Sequence, residues 1–271
     1  MIKLICLDID GTLLNDEKEI SPVTKNALLK VQDKGIKLAL STGRADYGVL
    51  EYIDELKLNE YGGYIISFNG GIIEKVENGN KEILFEKNID KNLVREVLQY
   101  VKNTELSLYL YGKDILYTTS ENSYAFDYSK KSANGKVEII DNLHDVFFMD
   151  TPKILLSGEN KTIHKYKDEI DKKFSDRLNH TFSDVFYYEL MPKNVNKGAG
   201  VKYLINYLGI NKDEVLAFGD GENDIEMIKE VGYGIAMENA GENLKKIADY
   251  ICESNNNDGV GKYIEKYVLK S

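Results

Sequence analysis

The chain has 271 residues, 42% hydrophobic and 30% charged, enough to bury a sizeable core without disulfide or metal staples. Asp and Glu number 45 against 35 Lys and Arg, and the formal net charge of -10 argues against a general nucleic-acid or membrane-surface binder, which needs a basic patch. Two cysteines, Cys6 and Cys252, cannot build a disulfide framework, so a reduced, cytoplasmic compartment is expected.

In chain order, the run LICLD stops at Asp8 and is too short for a signal peptide; it reads as a strand. Residues 21–34 open with Ser-Pro and are followed by Gly35, the punctuation of a helix. IKLALST, ending at Ser41 and Thr42, and YIISFN, ending at Asn69, are further strands on either side of a helix predicted over 46–58. The middle reads differently. LSLYLYGKDILYTT alternates like a hairpin, KILLSG is strand-like, 161–175 is helical, and HTFSDVFYYELMP is a further strand region. A helix over 197–208 is closed by Gly209, and EVLAFGD is a strand ending at Asp220. No run reaches about 18 apolar residues, so no transmembrane helix is expected. The sequons at Asn160 and Asn179 are read as incidental.

Short unbroken apolar runs separated by amphipathic stretches predict an α/β, Rossmann-like doubly wound parallel sheet. An α+β insert interrupts it, giving a core of 1–82 and 190–271 and an insert of 83–189. Ligands of such sheets sit beyond the carboxyl ends of the strands. Asp8, Thr42, Asn69 and Asp220 are expected to gather there, with the insert above them.

Four motifs carry chemistry. In DIDGTLL, Asp8 and Asp10 point to one side of an extended strand. Two such carboxylates repel unless a divalent cation relieves them, and hard oxygens suit magnesium. One could then attack phosphorus while the other handles a proton. In STGR, Thr42 can meet a phosphate oxygen or merely cap a helix; Arg44 reaches substrate or pairs with an acid. In NVNKGAG, Lys197 opposes the helix dipole, which suits either a wet surface or a site holding an anion. In GDGENDIEM, Asp220, Glu222 and Asp224 crowd one turn with Asn223, a density that asks for a cation or a generous water shell. The histidines, His144, His164 and His180, all fall in the insert and are expected at its surface. Dinucleotide, P-loop, zincin and nucleophile-elbow patterns are missing.

Taken in order, DIDGT, STGR, Lys197 and GDGEND resemble the motifs of the haloacid dehalogenase superfamily. NGG at 69–71, ELMPKNVNKG, IAMENA and ADYICESNNNDGV narrow the resemblance to its Cof-type sugar-phosphate phosphatases; Glu238 stands where these usually carry Gly. The resemblance implies a magnesium-dependent hydrolase of small phosphate monoesters. Asp8 would be the nucleophile that becomes an aspartyl-phosphate, and Asp10 the acid and then the base. Asp8, the Asp10 carbonyl and Asp220 would hold the metal, supported by Asp224. Thr42, Lys197, Asn223 and the Ile9 backbone would bind the phosphoryl group. Arg44, Asn69 and, in the insert, Glu189 are further candidates for substrate contact. Tyr109, Tyr111, Tyr187 and Tyr188 either meet substrate or pack the insert's own sheet. A phosphomutase, or a non-catalytic phosphate-sensing module, is the alternative reading. The expected partner is a small phosphorylated metabolite, not nucleic acid or membrane, and the expected assembly is a monomer or small homo-oligomer.

Overall fold

The structure, a computed structural model, describes residues 1–112, 115–133, 135–141, 145 and 149–270. It divides into two compact units, Met1–Phe85 with Asn196–Ser271, and Glu86–Val195. The divisions fall a few residues beyond the expected 82/83 and 189/190, because the strand that leads out of the first unit runs to Glu86 and the last strand of the second runs to Pro192.

The strands, in chain order, are β1 Leu4–Asp8, β2 Lys37–Ser41, β3 Gly63–Ser67, β4 Ile72–Glu77, β5 Asn80–Glu86, β6 Ser107–Tyr111, β7 Leu116–Thr118, β8 Val137–Ile139, β9 Ile154–Ser157, β10 Leu178–Asp184, β11 Tyr187–Pro192, β12 Val215–Gly219, β13 Tyr233–Ala236 and β14 Tyr250–Ile251. The first unit holds an eight-stranded sheet of order β14-β13-β12-β1-β2-β3-β4-β5. Strands β14 through β3 run parallel. β4 turns back antiparallel on β3, a hairpin the sequence reading did not resolve.

All five residues of β1 are buried, as a strand covered on both faces requires. The helix Pro22–Asp33 is capped by the Ser21 hydroxyl, which accepts from the Thr24 N–H at 3.2 Å. The expected helix over 46–58 is broken instead into a 3-10 turn at Asp46–Gly48 and short helices Leu50–Glu55 and Leu58–Tyr61. Lys57, left-handed at φ 56°, makes the second break. The chain winds outward from β1 in both directions, so β1 is the switch point of the sheet. Asp8 pairs in register with Ser41, Ser41 with Ile66, and Leu7 with Phe218, which aligns the carboxyl ends of β1, β2, β3 and β12.

The second unit is a six-stranded sheet of order β10-β11-β9-β6-β7-β8. Alternate residues Leu108, Leu110, Ile154, Leu156, Tyr188 and Leu190 form one apolar core with the helices Lys91–Val101 and Asn160–Phe174. Tyr109 and Tyr188 are buried within this unit: the Tyr109 hydroxyl donates to the Tyr124 carbonyl at 2.9 Å, and Tyr188 donates to Asp171. His164 is exposed as expected. His180 is not at the surface, because its ring pairs with Asp171 at 2.6 Å and its side chain is 7% exposed. His144 lies outside the described residues. No helix among the described residues is long and apolar enough to cross a membrane.

Candidate active site

At the end of β1 the backbone tightens. Leu13 and Leu14 donate back to the carbonyls of Asp8 and Ile9, at 3.2 and 3.0 Å. This turn needs Gly11, whose φ is +79°; a β-carbon there would stand 2.4 Å from a carboxylate oxygen of Asp220. Asp220 therefore lies directly against the first motif, and the Thr12 hydroxyl donates to it at 3.0 Å.

Lys197 is the first residue of the helix Lys197–Leu208, which the Asn196 side chain caps by accepting from the Ala199 N–H at 2.8 Å. A β-carbon on Gly198 would lie 2.4 Å from the Glu226 carbonyl, so only glycine lets this helix come so close to the helix Ile225–Glu230. That approach delivers the Lys197 ammonium between two carboxylates, 2.5 Å from Asp8 and 2.6 Å from Asp224. Lys197 and Asp224 are fully buried and Asp8 is 6% exposed. The alternative of a lysine on a wet surface is overturned.

Among the described residues, Asp8, Asp220 and Asp224 offer carboxylate oxygens within 4.8 Å of one another. Burial, then repulsion from Asp224, pushes the Asp8 carboxyl well above the usual range despite Lys197. Asp220 is raised for the same two reasons. Burial alone would discharge Lys197, but Asp224 and Asp8 outweigh it and hold the ammonium charged. Three carboxylates thus face one ammonium. The deficit and the hard oxygen donors fit a divalent cation. Asp224 already accepts from Lys197 and from the N–H groups of Asp220 and Gly221, at 3.0 and 2.9 Å, so Asp8 and Asp220 offer the more open oxygens.

Asp10 does not join this cluster through its side chain. Arg44 grips it with two nitrogens, at 2.8 and 2.7 Å, and Lys18 donates at 3.0 Å. Burial would raise the Asp10 carboxyl, but these donors overcome it and hold it below the ordinary range. Of the two readings of Arg44, the structure takes pairing with an acid; the residue also donates to the Gly48 carbonyl at 3.1 Å.

Thr42 is buried and its hydroxyl accepts from the Arg44 N–H at 3.1 Å, a turn contact rather than a helix cap. Asn69, in the left-handed region at φ 53°, accepts from the Asn223 side chain at 3.1 Å, which joins the turns after β3 and β12. The Ile9 side chain is wholly buried, which leaves its backbone for any contact. Glu189 lies in the second unit, buried and paired with Lys153 at 2.8 Å, and its Oε2 has no hydrogen-bond partner among the described residues. Reading the sequence missed Thr12, Lys18 and Lys153. Thr12 lies within the DIDGT motif and could have been found there; nothing local marks the two lysines.

The family model of haloacid dehalogenase-like hydrolases matches residues 5–264. A Streptococcus pyogenes protein bearing a phosphatase name is 31% identical over 268 residues, 99% of each chain. The 5-amino-6-(5-phospho-D-ribitylamino)uracil phosphatase YcsE of Bacillus subtilis is 33% identical, over 99% of this chain and 96% of that one. The crystal structure of a haloacid dehalogenase-like hydrolase from Bacteroides thetaiotaomicron superposes with a TM-score of 0.90 at 32% identity, covering 98% of this chain and 99% of that one. With matching motifs at both ends of the chain and the same fold throughout, the protein belongs to the haloacid dehalogenase-like hydrolase family.

Proposed function

We infer that the protein is a magnesium-dependent phosphatase of small phosphate monoesters, sugar phosphates or related metabolites, working through an aspartyl-phosphate. The observation that carries this reading is the buried ammonium of Lys197 between Asp8 and Asp224, with Asp220 beside them at the carboxyl end of β1. The phosphatase names of its relatives support it, and so does the polyol phosphate in the name of one of them.

The Asp8 oxygen not held by Lys197 attacks phosphorus in line. A bond forms from that oxygen to phosphorus while the bond from phosphorus to the leaving oxygen breaks. Asp10 gives its proton to the leaving oxygen, then takes one from the water that cleaves the aspartyl-phosphate. Serving as the acid requires Asp10 Oδ1 to release Lys18 and the Arg44 Nη2 and take up a proton as substrate enters, while Oδ2 stays on the Arg44 Nε, which keeps the carboxyl oriented. Lys197 neutralises equatorial phosphoryl oxygens, with Thr42, Asn223 and the Ile9 N–H as further donors. Asp8, Asp220 and the Asp10 carbonyl would hold magnesium, supported by Asp224; when bound, the ion supplies charge neutralisation. Buried free thiols at Cys6 and Cys252 accord with a reducing cytoplasm.

The test is release of inorganic phosphate from a panel of sugar, nucleotide and cofactor phosphates, with and without magnesium. Wild type is expected to turn over with magnesium and stop on chelation, and Asp8→Asn to lose at least about a thousandfold, roughly 4 kcal/mol of barrier. Isomerised sugar phosphate without free phosphate would instead mark a mutase. Activity in Asp8→Asn within tenfold of wild type would refute the covalent route.

A further inference from the structure

The loop after β13 is pinned to the turn after β12: Met237 donates to the Gly219 carbonyl at 3.0 Å, and Gly241 to the Asp220 carbonyl at 3.2 Å. Asn239 lies between these anchors. Its side-chain amide donates to the Gly11 carbonyl at 2.8 Å and reaches Asp220 Oδ2 at 3.5 Å, while its oxygen accepts from the Asn255 N–H at 3.1 Å. Asn255, itself buried, donates to the Leu14 carbonyl at 3.0 Å and to Asp16 at 3.3 Å. Asn256 closes the chain of contacts by exchanging two hydrogen bonds with Asp16, at 3.0 and 2.9 Å. Segments some 240 positions apart are thus clasped through neutral amides.

A neutral amide suits this position. The Asn239 nitrogen faces a carbonyl and a carboxylate, both acceptors, beside a cluster already short of positive charge. The Thr12 hydroxyl donates to the other Asp220 oxygen at 3.0 Å while the Asn239 approach is longer, so the carboxylate is oriented from both sides and its oxygens still have room for a cation. We propose that Asn239 is a positioning residue, which sets the Asp220 carboxylate and the backbone at Gly11 at the separation a divalent cation needs. The proposal rests on the metal reading above.

The test is a magnesium titration of the metal-free full chain, followed by melting temperature. Wild type is expected to rise as the ion binds the folded state. Asn239→Ala is expected to need about five- to tenfold more magnesium for half the shift, the worth of one hydrogen bond or roughly 1 kcal/mol. Its turnover should fall more at limiting than at saturating magnesium. Asn239→Asp, nearly isosteric, should melt lower than the alanine variant without metal, because it sets like charge against Asp220, and should recover most of that loss with magnesium. Asn239→Ser serves if the alanine variant does not fold, with the same weakening expected. Half-shift of Asn239→Ala or Asn239→Ser at the wild-type magnesium concentration overturns this proposal and leaves the metal reading standing. A wild type that does not respond to magnesium removes both.

Discussion

Lys197 and Asp8 are 189 positions apart in the chain, yet their charged groups meet at 2.5 Å in the interior. Removing the ammonium leaves Asp8 and Asp224 facing each other without compensation. Lys197→Met is expected to lose about 3–5 kcal/mol of stability, the usual result of breaking a buried pair from one side. Urea unfolding of the metal-free protein measures this, and a loss below about 1 kcal/mol, within the range of exposed pairs, would contradict it.

Arg44 holds Asp10 by two parallel hydrogen bonds, a geometry that only a guanidinium fork provides. Arg44→Ala is expected to reduce kcat/KM on an alkyl phosphate about tenfold or more, because the proton carrier loses its orientation. Arg44→Lys should remain impaired. Equal rates for wild type and Arg44→Lys would show that charge alone matters here.

Gly11 combines a positive φ with a close approach to Asp220. Gly11→Ala is expected to cost about 1–3 kcal/mol from the backbone alone. It should also displace the Asp220 carboxylate and weaken the thermal response to magnesium. Melting curves with and without the ion separate these effects, and an unchanged magnesium response would dissociate Gly11 from the site.

In the second unit, Asp171 accepts from Lys167 at 2.5 Å, from His180 at 2.6 Å and from the Tyr188 hydroxyl. Burial would raise its carboxyl, but these partners outweigh burial and lower it. The stabilisation is therefore complete above the unfolded value near pH 4 and fades as pH falls through the lower folded value. Asp171→Asn should cost about 1–3 kcal/mol at neutral pH and progressively less in acid. Denaturant unfolding across the acid range checks the convergence; a difference independent of pH would assign the effect to packing.

Local rules made much of this protein legible. The unbroken apolar runs at Leu4–Asp8 and Val215–Gly219 could only be strands covered on both faces, and Ser21-Pro22 and Gly209 marked helix ends that the backbone uses. Motif order carried the family. What the sequence could not decide was the choice between partners. Arg44 could reach a substrate or an acid, and Lys197 could be wet or buried, because each outcome depends on which groups lie opposite, 34 positions away for Arg44 and 27 and 189 positions away for Lys197. The close packing allowed at Gly198 and Gly11 determines those neighbours. It places one ammonium among three carboxylates and Asn239 against Gly11, arrangements set by the approach of distant backbones rather than by the pattern of any one segment.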